Sequence, residues 1–140
     1  MRFMVIVKAN KSSEAGEMPS LELLQQMGAF NEELAAKGYM LAGDGLHPSS
    51  NGSRLSWNAG KLTVTDGPFA ETKELIAGYW VVDMPSKEAV LETFSRCPPP
   101  HGHGNGEIEI RKIFEPEDFA GVAPPEMIER EREMRAQLER

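Results

Sequence analysis

Six polar side chains sit where this sequence could do chemistry: Asp66, Asp44, Lys73, Arg111, His101 and His103. Asp66 leads, because it closes a strand-like run and precedes Gly67-Pro68-Phe69. Pro68 lacks a backbone donor and pushes Gly67 out of the helical region, which fixes the chain direction beside a carboxylate. Such a carboxylate could take a proton as a general base or orient a ligand. Asp before Gly equally forms an Asx turn, in which the side chain accepts from the backbone N–H of Phe69 or Ala70. Asp44 lies between Gly43 and Gly45, which permits either close approach to a ligand or a bulge in an edge strand. Lys73, between Glu71 and Glu74, could neutralise an anion or belong to a solvated rim. Arg111 could clamp a carboxylate or phosphate with two parallel hydrogen bonds, or pair with a cross-strand glutamate.

His101 and His103 share a glycine-rich loop and could shuttle protons near neutral pH. That loop suits a lid and equally suits plain exposure. Two histidines with no helix to fix them fall short of the three or four ligands of a zinc site, so no metal centre is expected. Cys97 closes a helix, where the negative end of the dipole disfavours a thiolate, and reads as structural. G-x-G-x-x-G, Walker, H-E-x-x-H and G-x-S-x-G patterns are absent, which leaves dinucleotide, nucleotide, zinc-peptidase and serine-hydrolase chemistry unsupported.

The elements that must position these groups follow from periodicity. Residues 2–8 carry Phe3, Val5 and Val7 on one face and Met4 and Ile6 on the other, which predicts a central strand. Residues 10–19 read as loop. Ser20 caps a helix in which Leu23, Met27, Phe30 and Leu34 form one stripe and Gly38 follows the stop. Residues 39–46 read as a strand, and 54–57 with 61–65 as a hairpin about Asn58-Ala59-Gly60. A strand over 75–83, a helix from Ser86 to the Cys97-Pro98-Pro99-Pro100 stop and a strand over 107–114 complete the pattern. Tyr79 and Trp80 point to opposite faces, one under a helix and the other toward a seam or pocket.

Two split strand–helix–strand halves with an inserted hairpin predict an α+β, ferredoxin-like domain over residues 1–121. A charged helical tail over 122–140 follows, either solvated or packed on a second subunit. Apolar residues on the second sheet face argue for a homodimer that buries sheet on sheet. The chain has 140 residues, a net charge of −7 and one cysteine. An acidic chain with no Lys/Arg cluster does not suit nucleic acid as a partner. A lone cysteine, a short N-terminal apolar run and no membrane-length apolar stretch point to a cytoplasmic protein without a membrane partner.

The run Val64-Thr-Asp-Gly-Pro-Phe-Ala-Glu-Thr-Lys-Glu-Leu-Ile-Ala-Gly-Tyr-Trp-Val-Val resembles the signature of the DGPF family, part of the wider YCII-related proteins. Supporting matches are Met27-Gly-Ala-Phe-Asn-Glu-Glu-Leu, Gly43-Asp-Gly-Leu, Arg96-Cys-Pro, Ile108-Glu-Ile-Arg-Lys and Phe114-Glu-Pro-Glu-Asp-Phe. The resemblance covers about residues 2–119 and implies the dimeric α/β barrel form of the ferredoxin-like fold. It also implies a His–Asp pair in a cleft with the histidine on the first helix. Here that helix reads Leu21-Glu-Leu-Leu-Gln-Gln-Met-Gly and lacks one. The expectation is a cofactor-independent enzyme using acid/base chemistry on a small molecule in a sheet–helix pocket. The alternative is a non-catalytic ligand-binding or regulatory interaction module.

Overall fold

The computed structural model describes residues 1–139. Strand β1 (Arg2–Lys8) lies at the centre of the main sheet. A four-residue helix, α1 (Lys11–Glu14), occupies the segment read as loop. Asn10 and Ser13 cap it reciprocally: the Asn10 side chain accepts from Ser13 N–H, and Ser13 Oγ accepts from Asn10 N–H. Helix α2 (Leu21–Ala36) begins at Ser20, whose hydroxyl accepts from Leu23 N–H, and buries Leu23, Phe30 and Leu34. Strand β2 (Met40–Gly45) leads through a turn to the hairpin β3 (Ser53–Asn58) and β4 (Lys61–Asp66). Strand β5 (Ile76–Asp83), helix α3 (Lys87–Phe94), strand β6 (Ile108–Lys112) and helix α4 (Pro125–Leu138) complete the order.

The main sheet runs β2-β5-β1-β6, with every neighbouring pair antiparallel. This is the order of two interleaved split βαβ units, so the α+β expectation holds. The hairpin does not join that sheet and forms a separate two-stranded one.

Alternation along β1 divides the main sheet into two unlike faces. Phe3, Val5 and Val7 face α2 and α3 and share a core with Phe30, Leu34, Trp80, Val82, Val90 and Phe94. Trp80, Phe30 and Phe94 meet edge to face, with ring centroids 5.2–6.2 Å apart. The Trp80 indole N–H donates to Asn31 Oδ1 at 2.8 Å, which satisfies a polar atom that burial would otherwise leave unpaired. Gly43 lies under the same ring. A Cβ there would stand 2.6 Å from Met40 Cε and 2.9 Å from Trp80 Cδ1, so a side chain would displace the indole.

The second face carries Met4, Ile6, Tyr79 and Val81, none of which belongs to the helix-covered core. Tyr79 is therefore the aromatic that looks away from the helices. Arg2 on this face is clasped by Glu115 through two hydrogen bonds, at 2.8 and 3.2 Å. Helix α4 is tied back by Arg132, whose Nε donates to Glu117 at 2.7 Å, and leaves Met127, Met134 and Leu138 exposed.

Candidate functional site

The six candidate side chains fall in three places. Asp44 and Arg111 share the second face of the main sheet, on its two edge strands. Three strand spacings separate those edges, about 14 Å at ~4.8 Å each. Asp66 and Lys73 belong to the hairpin base and the short turn after it. His101 and His103 occupy the loop before β6. The structure does not gather all six into one cluster.

Asp44 pairs across β2 and β5 with Tyr79. The phenol donates to Asp44 Oδ2 at 3.0 Å. That hydrogen bond, together with the charge of the carboxylate, raises the Tyr79 pKa above its ordinary value. Asp44 is exposed and Tyr79 half-buried, and Met4, Ile6 and Val81 share their face of the sheet. Ile6 stands beside Tyr79 and Glu109 beyond it, so the row across the sheet is Asp44, Tyr79, Ile6, Glu109. Arg111 reaches Glu109, a neighbour on its own strand, at 3.4 Å rather than a cross-strand partner. It keeps most of its guanidinium in water.

Asp66 has a different setting. The Ser53 hydroxyl donates to Asp66 Oδ1 at 2.6 Å, because hairpin register places the two residues opposite each other. The expected acceptance from Phe69 N–H does not occur, and that amide donates to Ser49 Oγ at 3.1 Å. Ser49 is a junction: its amide donates to Glu14 Oε2 at 2.9 Å and its hydroxyl to Glu14 Oε1. Gly67 N–H donates to Gly52 O at 2.9 Å, and a Cβ on Gly67 would overlap the Ser49 carbonyl. The Gly67–Pro68 peptide is cis. Arg54 stacks 3.8 Å above the Phe69 ring. The Asp-Gly-Pro-Phe run thus fastens the hairpin base to the turn at 48–52, and through Glu14 to α1.

Lys73 is exposed in the turn Thr72–Glu74 and makes no ion pair among the described residues. His101 is half-buried, with Nε2 2.6 Å from the Lys8 carbonyl oxygen. An oxygen there can only accept, so Nε2 carries the proton. His103 is exposed, at φ 51°. Among the described residues no group of three or more His, Cys, Asp or Glu side chains could hold a metal ion. Burial raises the Cys97 thiol pKa to about 11, so the thiol stays protonated at neutral pH.

Two shallow clefts lie near these groups. One, of about 470 Å³, runs between the start of α3 and β6 and is lined by Phe3, Ser86, Lys87, Ile110, Arg111 and Lys112. The other, of about 210 Å³, is bounded by Lys8, Asn10, His101, Asn105 and Glu107. Neither cleft is lined by Asp44 or Asp66.

Sequence reasoning missed Ser53, Ser49 and Asn31. Ser53 was recoverable, since counting outward from the Asn58/Lys61 pair places it against Asp66. Ser49 and Asn31 carry no local signal, because each meets a partner from a distant element. Sequence alternation puts Tyr79 and Trp80 on opposite faces without saying which is which, and the Tyr79 hydrogen bond to Asp44 depends on the β2/β5 register.

Comparison with known proteins identifies a family. Residues 1–117 match the family model described as the YCII-related domain. An uncharacterized protein of Rhizobium meliloti (strain 1021) is 35% identical over 68 residues, 49% of this chain. The matched part spans about half, 54%, of that relative's length. A solved structure of 5-chloro-2-hydroxyhydroquinone dehydrochlorinase from Burkholderia phenoliruptrix AC1100, in complex with 2,5-dihydroxybenzoquinone, is similar at 14% identity and a TM-score of 0.45. The similarity covers 82% of this chain and 95% of that one. At that level it says nothing of chemistry here.

Proposed function

The chain belongs to the YCII-related domain family, and on that premise we propose that it acts, as a homodimer, on a small molecule held against the second face of its sheet. Asp44 and Tyr79 form the acid/base pair, and the chemistry is cofactor-independent. The single observation that carries this reading is the 3.0 Å hydrogen bond from the Tyr79 phenol to the exposed Asp44 carboxylate, on the sheet face turned away from the helix-covered core. A carboxylate so placed takes a proton from a bound molecule, and the phenol beside it returns one. Two such faces related by a two-fold axis would give the dimeric α/β barrel and would shield the pair from water. Asp66 then serves chiefly as the anchor of the hairpin. Arg111 is placed to meet an anionic group of the ligand from the opposite edge.

The test compares wild type with Asp44→Asn and Asp66→Asn in a thermal-shift screen of small organic acids and phenols, with sedimentation velocity alongside. Asp44→Asn should melt within about 2 °C of wild type yet lose ligand-dependent stabilisation, while Asp66→Asn keeps it. Stabilisation retained in Asp44→Asn would remove Asp44 from the site. A second reading, a non-catalytic ligand-binding or regulatory module, draws support from the clefts, which lie away from Asp44 and hold Arg111 and His101 instead. It is favoured if ligands bind and no turnover accompanies them.

A further inference from the structure

We infer that the hairpin β3–β4 of one copy packs its apolar face on the second sheet face of another copy, over the Asp44–Tyr79 row, so that each site is closed by the partner chain. This rests on the homodimer reading above and adds what completes the site.

The cross-strand pairs Leu55/Val64 and Trp57/Leu62 put four large apolar side chains on one face of the hairpin. They are 56%, 59%, 68% and 53% exposed, respectively. A two-stranded hairpin with a wet apolar face is marginal on its own in water. Within its own chain the hairpin joins no other strand, and those exposures leave its apolar face uncovered.

Area points to a second copy as the occupant. The four side chains leave roughly 400–500 Å² of apolar surface in water, the scale at which a patch on a monomer marks a binding site. The second sheet face alone offers less, since Ile6 is already buried and Met4, Tyr79 and Val81 are half-buried. A stable interface buries about 800 Å² per partner, more than the hairpin patch supplies alone, so a second surface has to join it. A two-fold axis satisfies both surfaces at once, each hairpin covering the other's sheet. Charge agrees with this placement. Lys61 at the hairpin tip makes no ion pair among the described residues, and the row beneath ends in the carboxylates of Asp44 and Glu109.

Sedimentation equilibrium on wild type and on the double variant Leu55→Ser/Trp57→Ser tests the inference, with circular dichroism to check that the core persists. The variant should dissociate at least about 100-fold more readily, as expected for removal of central apolar anchors. A variant that associates as tightly as wild type would overturn the hairpin's role and leave the sheet-on-sheet dimer standing. A monomeric wild type would overturn both. A second measurement works even if the double variant unfolds. In a Cys97→Ser background, Leu55→Cys protein mixed with Ala42→Cys protein should cross-link under mild oxidation. Cross-linking of Leu55→Cys protein to itself, or none in the mixture, would overturn the placement over the sheet.

Discussion

The two tryptophans of this chain occupy opposite situations. Trp80, 5% exposed, lies in a ring of aromatics with its indole N–H satisfied by Asn31. Trp57, more than half exposed, sits on a strand of similar alternation that no element of its own chain covers. Both obey the period-2 rule for strands, and the difference is topological. Strand β5 lies between β1 and β2 beneath two helices, whereas β3 has only β4. Alternation fixes which side chains share a face and leaves open what covers that face.

That contrast can be broken by mutation. Trp80→Ala should cost about 3–5 kcal/mol in urea unfolding, the range for removing a large aromatic from a packed core. Trp57→Ala should cost an isolated monomer well under ~1 kcal/mol and show its effect in association instead. Equal losses would mean that the hairpin belongs to the core. Gly67→Ala comes next. Its Cβ would collide with the Ser49 carbonyl, an overpacking worth about 1–3 kcal/mol. The loss should appear first as faster hydrogen exchange in residues 53–66 and only weakly in β1. Asn31→Leu should cost about 1–3 kcal/mol by stranding the Trp80 indole N–H, measured as a shift in urea midpoint.

A pH prediction probes the covered region. Burial holds the Cys97 pKa above its ordinary 9.0, at about 11. The unfolded thiol therefore ionises first, and the stability linked to it is fully present below pH 9 and lost as pH rises from about 9 to about 11. Cys97→Ser should flatten that alkaline decline, and alkylation of the native thiol should stay slow at pH 8. The smallest effect lies at the hairpin tip, where Ala59 takes a positive φ of 50°. Ala59→Asn should relieve part of a left-handed penalty of about 1–2 kcal/mol and slow exchange in β3 and β4.

Much of the main domain was legible because its signals are local. The Leu23, Phe30, Leu34 stripe, the Ser20 and Ser86 caps and the two-faced alternation of β1 all match what forms. Helix α1 was not, since four residues with no buried side chain leave no periodicity to read. The site was less legible than the fold. Asp66 and Asp44 were both noticed as carboxylates beside glycines, yet one is held by Ser53 and the other by Tyr79. Only strand register separates those outcomes, and register is set by partners many residues away. Gly43 shows the same limit: its glycine suits either a close approach to a ligand or an edge-strand bulge, and what lies against it is the Trp80 ring.

Strand β1 has a temporal consequence. It precedes both of its neighbours in sequence by a long stretch, with β5 not starting until Ile76 and β6 not until Ile108. At about 5–20 residues per second of synthesis, its two unpaired edges wait several seconds for their partners. The sheet cannot close until nearly all of the domain has left the ribosome. A nascent chain of this protein therefore depends on whatever shields Phe-Met-Val-Ile-Val in that interval, and ribosome stalling after β5 but before β6 should leave β1 paired along one edge and adhesive along the other.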